Sequence, residues 1–272
     1  MKSLQNALSQ IVETNTQNYP SDKPYVCPHC NMTVPRMEIE FLGIKKSVQP
    51  VCKCETDKLE HERLLDATLI KRKQIERLFS ISNLGERFEN ASFKAFNPRP
   101  GAEKVFQIAQ KYVEEFREWG SDSLLIWGDP GNGKTHIASA VANEVSATGS
   151  IVVFQSVPEL LERIRSTFNK NSKESEQEIM KALTTCDLLV LDDIGAEKLT
   201  DWVQDVIYRV IDGRYRKKLP TFYTSNLKPE VLAVQLGFRT FDRITETSLS
   251  IQNKATSYRR EIARQRMARF AE

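Results

Sequence analysis

No stretch of this chain approaches the roughly 20 consecutive apolar residues that a bilayer-spanning helix needs, although 40% of its 272 residues are hydrophobic. The opening segment, MKSLQNALSQIVETNTQNYP, also lacks the apolar core of a secretory leader. The first absence argues against a membrane partner, and the second leads us to expect a cytoplasmic protein. Neither charge dominates: 39 Lys and Arg stand against 36 Asp and Glu, a net +3. The chain as a whole is therefore no polycation made to coat nucleic acid. Internal repeats and low-complexity tracts are absent too. Cysteine is scarce, at five residues, with four of them between positions 27 and 54 and the fifth at Cys186. An odd, clustered set in a reducing compartment points to a metal before disulfides.

What is present is organised in two parts. Leu4, Leu8 and Ile11 are spaced as on a short helix over residues 1–18, which prolines then break. The cysteine region follows, and after it a highly charged helical stretch, 55–79, expected to be exposed or to bind a partner. Residues 1–80 form the expected N-terminal zinc-binding domain and 81–100 a linker with aromatic anchors. From residue 101 the pattern alternates. Short apolar runs at 124–127, 151–154, 188–191 and 221–224 are separated by helical segments. That alternation predicts an α/β domain with a parallel sheet flanked by helices on both sides.

The first of these runs ends in Gly128-Asp129-Pro130-Gly131-Asn132-Gly133-Lys134-Thr135, which matches G-x-x-x-x-G-K-[ST] at every fixed position. Glycines let the backbone wrap phosphates closely, and the following helix start presents N–H groups to the anion. ATP with Mg²⁺ is the expected ligand. Lys134 would reach the terminal phosphates and Thr135 would ligate Mg²⁺. The nucleotide-binding stretch is counted through His136, whose ring is expected to pack in the helix. The run Leu188-Leu189-Val190-Leu191 ends in Asp192 and Asp193, at the strand end where open α/β sheets bind ligands. Asp192 is expected in the Mg²⁺ shell, and Asp193 beside the attacking water. Asn226, ending the next strand, is expected to sense the γ-phosphate.

Phosphoryl transfer also needs positive charge, often from a neighbouring subunit. Two clusters qualify: Arg239 with Arg243, and Arg259 with Arg260. Arg243 is favoured as the trans-acting finger and Arg259 as a second sensor. Cys27-x₂-Cys30 and Cys52-x-Cys54 are separated by 21 residues. Two close pairs can bring four thiolates onto Zn²⁺, with His29 or His61 as possible replacements for one of them. Metal binding would then supply folding energy to a segment poor in apolar residues. Cys186 is expected to be a small core residue.

Taken together, GDPGNGKTHIA, DLLVLDDIGAEKLTDW, IYRVIDGRYRKKLPTFYTSNL and the final SYRR resemble the DnaC/DnaI-type helicase loaders, relatives of the transposition ATPase IstB. The resemblance covers roughly residues 80–265. It implies an AAA+ P-loop NTPase over 101–272 with a reduced C-terminal lid, since only 46 residues follow Asn226. Many AAA+ proteins carry Glu where Asp193 stands, and the shorter side chain implies slow hydrolysis. The resemblance further implies self-association in the ATP-bound state, a hexameric replicative helicase as partner, and delivery of that helicase to single-stranded DNA. Arg163, Arg165, Phe168 and Lys170 are candidates for the strand contact. An IstB-like transposition helper that binds target DNA is the alternative, and the cysteine cluster argues for the loader side.

Overall fold

The computed structural model describes residues 25–41, 43–79, 88–169, 172, 174–198 and 200–270. The helix expected over 1–18, Lys170 and the start of the linker lie outside the described residues. Two compact units divide the chain, one ending at Leu69 and the other beginning at Ile70. The division falls inside a long helix, earlier than the boundary expected near 80. Ile75, Leu78 and Phe79 are the reason, because they are buried in the core of the larger unit.

The smaller unit consists of two short antiparallel hairpins and the start of that helix. Strands β1 (Tyr25–Val26) and β2 (Thr33–Val34) pair with Tyr25 opposite Val34. The turn between them is closed by Asn31 N–H donating to Cys27 O at 2.9 Å, with Asn31 at φ 56°. Strands β3 (Met37–Phe41) and β4 (Ile44–Val48) form the second hairpin, and Gly43, at φ 77°, makes its turn. Helix α1 (Lys53–Leu78) begins beside Cys52, whose carbonyl accepts from Glu55 and Thr56 N–H.

The larger unit contains a five-stranded, all-parallel sheet. Its elements after α1 are α2 (Glu103–Glu114), α3 (Phe116–Trp119), β5 (Ser123–Trp127), α4 (Lys134–Ala147), β6 (Val152–Ser156), α5 (Val157–Ser166), α6 (Glu176–Leu183) and β7 (Leu188–Asp192). Then come α7 (Asp201–Arg216), β8 (Thr221–Ser225), α8 (Pro229–Leu236), α9 (Phe238–Thr247), β9 (Ser248–Gln252) and α10 (Tyr258–Arg269). The strand order is β6-β7-β8-β5-β9. The strand before Asn226 therefore lies between the strand carrying the two acids and the strand leading into the glycine loop.

Strand alternation explains the two cores. Leu124, Ile126, Leu188, Val190 and Phe222 face one side and pack on α2 and α4. Leu125, Leu189, Leu191 and Tyr223 face the other and pack on α5, α6, α7 and α8. Both faces are covered, so the strands read as unbroken apolar runs. Helix ends follow local chemistry. Ser175 and Glu178 form a reciprocal capping box at α6, and Thr200 Oγ1 accepts from Val203 N–H at the start of α7.

Strand β9 is absent from the sequence expectation. Its segment, SLSIQ, buries only Ile251 and lies at the sheet edge beside β5. A polar edge strand with one buried residue carries little periodic signal.

Candidate nucleotide site and candidate metal centre

The glycine loop leaves the C-terminal end of β5 and enters α4, with Gly128, Gly131 and Gly133 all at positive φ. These angles are readily open only to glycine. The loop borders a cavity of about 640 Å³, whose lining includes Phe96, Lys134, Thr135, Asp193, Asn226 and Arg259. Lys134 is 6% exposed. Its ammonium donates to Gly128 O at 2.8 Å, Asp129 O at 2.9 Å, Asn132 Oδ1 at 3.1 Å and Asn226 Oδ1 at 2.8 Å. Burial pushes its pKa down to about 8, against the upward pull of Asp193 and Asp192.

The residues expected to share Mg²⁺ stand side by side. Thr135 Oγ1 donates to Asp192 Oδ2 at 3.0 Å, and Thr224 Oγ1 donates to Asp192 Oδ1 at 2.6 Å. Thr224 Oγ1 also accepts the Asp193 N–H at 2.9 Å, so this buried hydroxyl fixes both acids. Asp193 takes the left-handed conformation at φ 58°, which Asp tolerates better than most residues. That turn brings its carboxylate to Asn226 Nδ2, which donates to it. Burial raises the pKa values of both carboxyls, and for Asp193 the charges of Lys134 and Arg259 oppose the rise.

Lys134, Thr135, Asp192, Asp193 and Asn226 are thus gathered around one cavity, and Arg259 borders it from the start of α10. His136 packs beside Phe96, with ring centroids 5.1 Å apart and the planes tilted by 37°, and burial lowers its pKa. Arg243 lies elsewhere. It pairs with Asp212 at 2.8 Å and sits over the rings of Tyr208 and Tyr215. It lines a separate cavity with Ser123 and Thr221, at the opposite end of the strands from the glycine loop. Arg239 is exposed and stacks on Tyr208 at 4.9 Å.

The residues expected at a DNA strand separate as well. Arg163 is held by both Glu174 oxygens at 2.6 and 2.8 Å and by Leu78 O, and it stacks on Phe79. Those contacts remove it from the set available to a ligand. Phe168 is 59% exposed and meets Trp202 edge-on at 6.2 Å. Arg165 lies over the other partner in this group, Trp202, at 4.8 Å. Trp202, Thr224 and Phe96 carry no local sequence signal, because each meets its partner across a long stretch of chain.

In the smaller unit the four sulfurs of Cys27, Cys30, Cys52 and Cys54 lie within 4.8 Å of one another. Cys27 Sγ is 3.4 Å from Cys54 Sγ, and Cys30 Sγ is 3.4 Å from Cys52 Sγ. All are free thiols. Zn–S bonds of about 2.3 Å in a tetrahedron imply S···S edges of about 3.8 Å, so the donor set fits zinc. Among the described residues this group is all sulfur, with neither His29 nor His61 in it. Backbone N–H groups of Cys30 and His29 hold the Cys27 thiol down to about 6, and hydrogen bonding to Cys27 pushes Cys54 up.

The family model for IstB-like ATP binding proteins matches residues 57–266. A protein of Buchnera aphidicola subsp. Baizongia pistaciae named Replicative helicase loader DnaC is 31% identical over 210 residues, covering 76% of this chain and 84% of that protein. The Bacillus subtilis protein named Replicative helicase loader DnaI is 34% identical over 137 residues, or 49% of this chain and 42% of that one. A crystal structure of the DnaC helicase loader superposes with a TM-score of 0.57 at 25% identity, covering 62% of this chain and all of that one. The parallel sheet with flanking helices is the fold shared with that structure.

Proposed function

The chain belongs to the IstB-like ATP-binding family, and from that premise we propose that it is an ATP-dependent loader of a hexameric replicative DNA helicase. The observation that carries this reading is similarity across 84% of a relative named as a replicative helicase loader. In this account ATP enters the cavity and draws Lys134 from Asn226 and the loop carbonyls onto its terminal phosphates. Thr135 and Asp192, 3.0 Å apart, would hold Mg²⁺, which would neutralise charge on the phosphates. Asp193 and Asn226, already hydrogen-bonded to each other, orient the attacking water. An Asp at this position reaches less far than Glu, and hydrolysis is slow.

Arg259 contacts the phosphates from within the same chain. Arg243 serves the neighbouring subunit, a role that requires it to exchange its own chain's Asp212 and the Tyr208 and Tyr215 rings for that subunit's phosphate. ATP thereby favours self-association. The zinc-bound N-terminal unit contacts the helicase, and Phe168, Trp202 and Arg165 receive single-stranded DNA in the cytoplasm. An exposed aromatic pair with a stacked guanidinium suits sequence-independent base stacking.

The test is capture of the host replicative helicase by the full-length chain with ATP. Helicase retained and transferred to single-stranded DNA supports the reading. A second reading, a transposition helper on duplex target DNA, follows from the resemblance to IstB, which the family match over residues 57–266 shares by name. Assembly on duplex DNA without helicase capture would select it.

A further inference from the structure

Residues 253–257, between β9 and α10, cross the glycine loop as a strap, and three glycines make room for them. A Cβ on Gly128 would sit 2.3 Å from Asn253 O, one on Gly131 2.4 Å from Ser257 Oγ, and one on Gly101 2.8 Å from the Lys254 carbonyl carbon. Contacts below 3.0 Å are ones that real Cβ atoms essentially never make. Gly128 is therefore required by the strap's backbone as well as by a phosphate ligand, whereas at Gly131 the contact is with the rotatable Ser257 hydroxyl.

Hydrogen bonds tie strap and loop together from both sides. Asn132 Nδ2 donates to Asn253 O at 2.9 Å, and Asn253 Nδ2 donates to Asn132 O at 3.1 Å. Tyr258 N–H donates to Gly131 O at 2.8 Å, and Asn253 N–H to Trp127 O at 2.7 Å. Asn253 Oδ1 accepts from Ala255 N–H, which sets the strap's own turn. Asn132 and Asn253 are each 1% exposed, so a broken pair leaves amide groups without water to replace the partner. The network reaches the cavity at both ends. Asn132 Oδ1 also accepts from Lys134 Nζ. The strap leads directly into α10, whose second residue is Arg259. On the outer side Arg99 holds the strap through the Thr256 carbonyl and the first turn of α10 through Glu261 at 3.0 Å.

We infer that Asn253 is a positioning residue for the nucleotide site: its side-chain amide locks the strap to the phosphate loop and so fixes Arg259 over the cavity. Movement of the loop on phosphate binding is then passed directly to α10. This rests on the reading of Arg259 as a phosphate contact. A residue that acts through Arg259 has nothing further to lose once Arg259 is gone. A residue that only stabilises the fold loses the same amount in either background.

The experiment is a double-mutant cycle on the full chain, with the affinity for a non-hydrolysable ATP analogue measured for Asn253→Ala, Arg259→Ala and the double variant. Arg259→Ala is expected to weaken binding about tenfold or more, as for loss of a charge-assisted hydrogen bond. Asn253→Ala is expected to weaken it to a similar extent, and the double variant no further than Arg259→Ala alone. Losses that multiply in the double variant, or an Asn253→Ala that binds as the unmutated chain does, overturn the inference. An Arg259→Ala that binds normally overturns the reading of Arg259 and the inference with it. An unmutated chain that binds no nucleotide removes the ATPase reading itself. If Asn253→Ala does not fold, Asn253→Asp keeps the side-chain shape and the acceptor for Ala255 but loses the donor to Asn132, and the same criteria apply.

Discussion

Lys134 Nζ donates to Asn226 Oδ1 at 2.8 Å, and Asn226 in turn donates to Asp193. The residue proposed to hold the terminal phosphate is thus joined to the two proposed to manage the attacking water. Asn226→Ala should leave ATP affinity within a few-fold and lower hydrolysis by about 10²-fold, the scale for losing a transition-state hydrogen bond. Single-turnover hydrolysis and equilibrium binding separate the two effects. Lys134→Ala should lose binding itself.

The depressed pKa of Lys134, about 8, gives a pH dependence with a definite sign. Free protein loses this proton as pH rises through about 8, whereas bound phosphates favour the charged form. Nucleotide affinity should therefore fall between pH 7 and 9, and binding near pH 8 should take up protons. Calorimetry in buffers of differing ionisation enthalpy measures that uptake. In the free protein the same shift works the other way on stability. The unfolded chain binds more protons between about 8 and the ordinary lysine value of 10.5, so this group's contribution rises with pH across that window. It is a penalty at neutral pH that ATP removes.

Arg243, paired with Asp212 away from its own cavity, is proposed to act across a subunit boundary. Arg243→Ala should bind ATP yet fail to hydrolyse it, as Lys134→Ala fails for want of ATP. Equimolar mixing should restore part of the activity, because one junction in a mixed assembly has both an intact cavity and an intact arginine. A mixture as inactive as its components would remove Arg243 from the role and leave Arg239, which is exposed on Tyr208, as the residue to test.

Phe168→Ala or Trp202→Ala should weaken single-stranded DNA binding by about 1–3 kcal/mol, the range for loss of one stacked base. Quenching of the Trp202 fluorescence on strand addition reports the contact. Arg163→Ala should destabilise the fold without selective loss of DNA binding, because its partners are Glu174, Leu78 O and Phe79.

Removal of metal should act on one unit only. The chain should carry a single zinc by elemental analysis, and Cys27→Ser or Cys54→Ser should lose it. Chelation should expose the residues before Leu69 to protease while ATP binding persists, since the cavity is lined by residues after Ile70.

The sequence carried those parts of the fold and site whose physics is local. A glycine loop must be contiguous to wrap phosphates, and Leu188 to Asp193 announces a buried strand with acids at its mouth. Two close cysteine pairs likewise announce the four-sulfur cluster. The strands with both faces covered were legible as apolar runs, whereas β9, buried only at Ile251, was not. Nor were pairings made by the fold alone. Asn132 and Asn253 are 121 residues apart in the chain, and Thr224 reaches Asp192 only because β8 lies beside β7. The pairing of Arg163 with Glu174 has the same character, and so an arginine that looked free for DNA is committed within the fold.

The most direct test of the loader account is to mix the full-length, zinc-containing chain with the host replicative helicase and a single-stranded DNA circle, and to measure helicase bound to the circle. The account predicts a stable chain–helicase complex and ATP-dependent transfer of helicase to the circle, both lost on zinc removal and the transfer lost in Lys134→Ala. Absence of any complex with or without ATP, alongside assembly of the chain on duplex DNA, would contradict it.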